Sequence, residues 1–147
     1  MSDAAAVAAF LKPFEGFHRV TQRRPVVLAS PYLCPAGFWT IGYGILCQKD
    51  HPAITLEEGE AMLAAAVPAY IGHARRLSPA LDGARLVAIA DFVFNLGPTR
   101  YASSTLRRRV NEQDWSGARH EIRKWVFGGG RKLPGLIIRR EAEAALL

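Results

Sequence analysis

The chain has 147 residues, half of them hydrophobic, which suits one ordinary domain with a real core. Nineteen Lys and Arg against thirteen Asp and Glu give a formal net charge of +6. That balance favours a polyanion partner (nucleic acid, acidic lipid or an anionic wall polymer), unless the basic surface has no such partner at all. Two cysteines, Cys34 and Cys47, are too few for a disulfide scaffold, and the four histidines make no HExxH-type pair, so neither metal nor cofactor is expected.

The N-terminus, Met1-Ser2-Asp3 followed by alanines, lacks the basic start and strong apolar stretch of a secretory signal. The expectation is synthesis in the cytoplasm, wherever the protein then works. Ser2 or Asp3 can cap a first helix whose apolar face is Val7, Phe10, Leu11 and Phe14. Pro13 should disturb its last turn, which leaves Glu15 and Gly16 at or just beyond the helix end.

Residues 17–47 change character, with β-branched and aromatic residues, Pro25, Pro31 and Pro35, and glycines at 37, 42 and 44. A small antiparallel sheet with turns is predicted there, as the chain's only β region. Thr55 and Glu58 then form a capping box that opens a long helix to about Leu77, bent at Pro68. Ser78-Pro79 has the chemistry to start a short helix, and Leu86 to Asn95 reads as a helix buried on all sides. Ser104 and Asp114 are candidate caps for two further helices, and Gly128-Gly129-Gly130 precedes a terminal helix over 134–146.

Without repeats or a low-complexity linker, this reads as one α+β domain over 1–147. A β lobe at about 16–50 lies beside a helical lobe at about 55–147 that includes the N-terminal helix. A sheet lobe and a helical lobe joined by one long helix imply a cleft between them.

The informative segment is Phe14-Glu15-Gly16, followed after an interval by Cys34 and, five residues further on, by Thr40-Ile41-Gly42-Tyr43-Gly44. It resembles the phage-type lysozymes of glycoside hydrolase family 24, the endolysins that release phage progeny. Their motif is Glu-Gly at the end of helix one, then Asp or Cys, five residues, and a Thr in a T-x-G-x-G context. The likeness continues through Phe94-Asn95-Leu96-Gly97, Ser103-Ser104-Thr105-Leu106 with Asn111, Trp125, the glycine run, and Gly135-Leu136 with Arg139-Arg140-Glu141.

The resemblance implies a lysozyme-like fold and a muramidase that cuts the β-1,4 bond between N-acetylmuramic acid and N-acetylglucosamine. Glycoside hydrolysis needs a carboxylic acid to protonate the leaving oxygen. Glu15 is the only acid between Asp3 and Asp50, so the β lobe offers no rival donor. An inverting enzyme also needs a group that activates water on the opposite sugar face. By the resemblance that group is Cys34, although an ordinary thiol of pKa about 8.5 is mostly neutral at pH 7 and Cys34 can equally be a packing residue. Thr40 would position the water through its hydroxyl, or serve only as a strand former.

Asn95 either binds sugar amide groups or caps its helix. One of Arg139 and Arg140 either approaches Glu15, with Arg140 the candidate substrate contact, or both lie on a solvated face. Trp39, Tyr43 and Phe38 either stack on sugars or pack.

Two features depart from the family pattern. Residues 16–33 make an unusually long interval between Glu15 and Cys34, and the excess, roughly Val20 to Ala29, reads as a hairpin with Arg23-Arg24-Pro25 at its tip. Ile45 stands where the family commonly has His.

The resemblance further implies peptidoglycan as partner, a holin-type pore for passage to the periplasmic wall, and a monomer. Arg131 and Lys132 beside Leu136, Ile137 and Ile138 suggest contact with anionic outer-membrane lipid, against simple packing. Both cysteines are expected to be free thiols in the active protein. Three alternatives remain: a lytic transglycosylase, a non-catalytic wall-binding or toxin domain, and a nucleic-acid-binding protein. The last has no RRM, KH or zinc-finger signature behind it, so no nucleic-acid partner is expected.

Overall fold

Helix α1 (Asp3–Glu15) starts where Ser2 Oγ accepts a hydrogen bond from the Ala5 backbone at 3.2 Å, and it buries Val7 and Leu11. The computed structural model describes residues 1–147. Phe10 and Phe14 are only half-buried, so the apolar stripe of α1 is narrower than its spacing suggests. The helix runs through Pro13 to Glu15 and stops at Gly16, whose backbone N–H donates to Lys12 O at 2.9 Å with φ +67°. That left-handed conformation is the usual glycine stop signal.

The chain separates into two compact units, Leu11–Ala66 and Met1–Phe10 with Val67–Leu147. The first unit holds two small antiparallel sheets. One has the order β1 (Val20–Gln22), β2 (Leu28–Ala29), β6 (Ile54–Thr55), and the other runs β3 (Tyr32–Leu33), β4 (Trp39–Ile41), β5 (Ile45–Leu46). Their inward residues Ala29, Ile41 and Ile54 make a core against which Phe17, Cys47 and Met62 pack.

Helix α2 (Leu56–Leu77) opens with the expected capping box. Thr55 N donates to Glu58 Oε2 at 2.7 Å, and Glu58 N donates to Thr55 Oγ1 at 3.1 Å. Two N-terminal donors that a helix leaves orphaned are thereby satisfied.

The second unit is built around α3 (Gly83–Leu96), in which every residue from Leu86 to Val93 is buried, as an almost wholly apolar run requires. Around it lie α4 (Pro98–Ala102), α5 (Thr105–Asn111), α6 (Trp115–Ile122) and α7 (Pro134–Ala144). Ser104 caps α5 by accepting from Arg107 N, and Asp114 caps α6 by accepting from Gly117 N. Phe92 on α3 meets Tyr101 and Trp125 edge-on, with ring centroids 6.0 and 5.4 Å away.

Three expectations need correction. No short helix starts at Ser78-Pro79. The chain turns there, with Leu81 N donating to Ser78 O at 3.2 Å, and the Ser78 hydroxyl pairs with the buried Tyr101 hydroxyl at 2.7 Å. Helix α4 was not expected, and it begins at Pro98, where the missing N–H costs nothing. The β structure also extends beyond 17–47, with β6 joining the first sheet and a further hairpin of β7 (Phe127–Gly128) and β8 (Arg131–Lys132). In that hairpin the glycine run supplies a turn with φ +58° at Gly129 and +76° at Gly130, which side chains would resist.

Candidate active site

The exit from α1 is fixed within three residues of Glu15. After Gly16, the His18 backbone N–H donates to Gly42 O at 3.3 Å in an isolated antiparallel bridge, which ties the helix end to the loop after β4. Phe17 lies against bare backbone: a Cβ on Gly59 of α2 would stand 2.6 Å from its ring. The glycine in α2 therefore makes room for the aromatic that anchors the chain beside Glu15. Glu15 itself is half-buried.

Cys34 follows β3 and opens the turn to β4. Its backbone N–H donates to Phe38 O at 2.9 Å, Gly37 N donates to Cys34 O at 2.8 Å, and Gly37 takes φ +86°. The register Tyr32↔Thr40 and Leu33↔Trp39 brings Thr40 back beside the cysteine.

The tight turn has an electrostatic consequence. Amides of the turn, led by that of Phe38, hold the Cys34 thiol below its ordinary pKa against the opposing effect of burial. The amides of Ala36 and Gly37 and the Thr40 hydroxyl act in the same direction. Hydrogen bonds to the charged form favour it, so this sulfur is more thiolate-like than a free cysteine. Cys47 moves the opposite way, because burial raises its thiol. Both cysteines are free thiols. Thr40 is buried, and its hydroxyl donates to Phe38 O at 3.1 Å.

Tyr32 is the residue that sequence reasoning missed. Burial raises its phenol pKa, and the nearby charges of Glu15 and Cys34 raise it further. It is thus within electrostatic reach of both, and it belongs to the same unit. His18 meets its ring edge-on at 5.7 Å, and the Arg19 guanidinium carbon lies 5.8 Å from the ring centroid. Its position two residues before Cys34, on the strand pairing with Thr40, was the available signal.

The aromatic candidates divide. Trp39 is half-buried, with the Lys49 ammonium 5.7 Å from its ring centroid, and Phe38 is exposed. Tyr43 is only 6% exposed, with Phe17 at 5.5 Å and the Lys12 ammonium at 5.6 Å.

In the second unit, Asn95 does not cap α3, since Gly97 does so through its N–H to Val93 O. The Asn95 Oδ1 accepts from Arg140 Nη2 at 2.8 Å, and the same nitrogen donates to Glu143 Oε1 at 2.8 Å. Arg140 is 0% exposed, so it holds Asn95 in place and has no surface of its own to offer a ligand. The solvated-face alternative for Arg139 and Arg140 is overturned. Both are buried in an ion cluster with Asp91 and Glu143, also buried. Arg140 Nε and Glu143 Oε2 are 2.7 Å apart as an ion pair, yet neither has a well-directed hydrogen bond. A lone Asp91 in an apolar run, and Glu143 three residues after Arg140, were the sequence signals for this cluster.

Comparison with known proteins shows the family and the fold. A family profile described as phage lysozyme matches residues 14–143. An endolysin of Acyrthosiphon pisum secondary endosymbiont phage 1 is 41% identical over 123 residues, spanning 78% of this chain and 83% of the relative. The muramidase domain of SpmX from Asticaccaulis excentricus superposes with a TM-score of 0.80 at 26% identity, covering 96% of this chain and 93% of that one. An endolysin from Escherichia coli O157:H7 phage FAHEc1 gives 0.77 at 25% identity, with 99% and 92% covered. A profile match over nearly the whole chain, a close relative and two like folds lead to one assignment: the chain belongs to the phage lysozyme family, glycoside hydrolase family 24.

Proposed function

We propose that this protein is a muramidase hydrolysing the β-1,4 bond between N-acetylmuramic acid and N-acetylglucosamine in bacterial peptidoglycan. The reading rests on the strand register that sets Thr40 opposite Tyr32, two residues before Cys34, in the unit that also holds Glu15. Glu15 gives its proton to the leaving glycosidic oxygen as the bond to the anomeric carbon breaks. A water held by Thr40 and Cys34 attacks that carbon from the other face. Its proton passes to the sulfur, whose lowered pKa enlarges the thiolate fraction able to accept it. The half-buried Trp39, in the same unit as Glu15, is the proposed sugar contact.

The proposed setting is lysis of a bacterial host. No helix is long and apolar enough to cross a membrane. Delivery from the host cytoplasm to the periplasmic wall through a holin-type pore, as a monomer, completes the reading. A proposed accessory contact is anionic outer-membrane lipid. Arg131 and Lys132 are exposed beside Phe127 at 58%, Ile137 at 41% and Ile138 at 64% exposure, the mixture of basic and apolar surface that such lipid attracts.

The test is digestion of purified peptidoglycan in H₂¹⁸O with mass spectrometry of the fragments. Hydrolysis puts one heavy oxygen at each new reducing end. Anhydro-muramic ends without solvent oxygen would make the protein a transglycosylase, and intact strands would remove the enzymatic reading.

A further inference from the structure

The hairpin β1–β2 carries a charge pattern that cleavage of the bond does not use. Between Glu15 and Asp50 there is no acid, while Arg19, Arg23, Arg24 and Lys49 supply four positive charges. Arg23 and Arg24 sit at the turn, both exposed, with no carboxylate paired to either. The turn is held in place by the strand register Val20↔Ala29 and Gln22↔Leu28. Gln22 Nε2 adds a hydrogen bond to Val26 O at 3.2 Å, and the Thr21 and Ser30 hydroxyls are linked at 3.0 Å.

The base of this hairpin adjoins the candidate site. Ser30 N donates to Arg19 O at 3.1 Å, and the Arg19 guanidinium lies against Tyr32, the neighbour of Glu15 and Cys34. At about 3.3 Å per strand residue, the Arg23–Arg24 tip is roughly 13 Å along from that base. Such a distance is too great for contact with the reacting atoms. It suits groups that hang from the polymer on either side of the bond being cut.

We infer that Arg23 and Arg24 form a subsite for the free carboxylates of the short peptides attached to the glycan strand. This rests on the peptidoglycan reading above. Guanidinium forks match carboxylates in a bidentate geometry, and the hairpin itself carries no acid to compete for them. The carboxylates belong to the same polymer as the scissile bond, so they are presented wherever the enzyme cuts. The subsite contributes to affinity and not to bond cleavage.

The test uses sedimentation of the protein with insoluble peptidoglycan, native or with its carboxyls converted to amides by carbodiimide and ammonia. Binding is read in the cold, independently of cleavage, so a catalytically silent protein still reports on the subsite. The wild type should bind native material about three- to tenfold more tightly than amidated material, the effect of two exposed charge pairs, and lose that preference as salt rises. Arg23→Ala with Arg24→Ala should bind both materials equally, at the amidated level, while Arg23→Lys with Arg24→Lys keeps part of the preference. The kcat of reducing-end release should not change in either pair. Equal wild-type binding to both materials would overturn the inference, as would an alanine pair, shown to melt like the wild type, that keeps the preference. Failure to release reducing ends would instead count against the muramidase reading.

Discussion

Arg139 grips Asp91 through two hydrogen bonds, Nε to Oδ2 at 2.9 Å and Nη2 to Oδ1 at 2.8 Å, with both side chains buried. This pair ties α7 to α3. Removing one partner strands the other as an uncompensated buried charge, which costs about 3–5 kcal/mol. Asp91→Ala should therefore lose about that much in a urea titration. A loss under about 1 kcal/mol would mean that the pair is not what joins these helices.

Glu143, in the same cluster, gives the protein a pH-dependent stability. Burial raises its carboxyl well above the ordinary 4.5, and a hydrogen bond with Asp91 adds to the effect of burial; the Arg140 charge opposes them. A folded pKa above the unfolded one means that the native state holds the extra proton. The contribution is complete below about 4.5 and is lost as pH rises toward the folded pKa. Glu143→Gln, which stays neutral, should gain on the wild type from pH 5 to pH 8 in unfolding free energy. A constant difference between the two proteins across that range would contradict the shift.

How much of this was legible in the sequence depended on whether the signal was local. The capping box at Thr55 and Glu58, the caps at Ser104 and Asp114, and the end of α1 at Glu15 follow from short-range chemistry, and each was readable. The buried run of α3 and the β1–β2 hairpin were readable for the same reason. Non-local pairings were not. Ser78 looked like a cap because its chain neighbours allow it, but its hydroxyl is taken by Tyr101, twenty-three residues away. Arg139 and Arg140 looked solvated because arginine usually is, and only packing against α3 brings Asp91 and Asn95 to them. The glycine run reads only as a lead into the terminal helix, although two adjacent positive-φ glycines are also what a tight hairpin requires. In the candidate site, Glu15, Cys34 and Thr40 could be picked out by motif, whereas Tyr32 emerged only from the strand register.

The turn amides around Cys34 make a chemical prediction. Its thiol is held below its ordinary pKa by the turn and that of Cys47 is raised by burial, so iodoacetamide at pH 7 should label Cys34 first. Peptide mapping reads the order directly. Faster labelling of Cys47 would mean that the turn does not favour the thiolate.

If the sulfur accepts the proton of the attacking water, Cys34→Ala should lose about a hundredfold in kcat, within the range for a missing general base. Cys34→Asp, which restores an acceptor at the same point, should recover most of the rate. Full activity in Cys34→Ala under reducing conditions would reduce Cys34 to a packing residue, leaving Thr40 alone to hold the water.

The central claim is that Glu15 donates the proton to the leaving oxygen, and the most direct measurement is reducing-end release from peptidoglycan by Glu15→Gln. The amide is close in shape to the acid but cannot supply that proton. The rate should fall at least about a hundredfold while the thermal melt stays with the wild type. A folded Glu15→Gln protein that keeps more than about a tenth of the wild-type rate would contradict the account, since loss of a general acid costs far more than that.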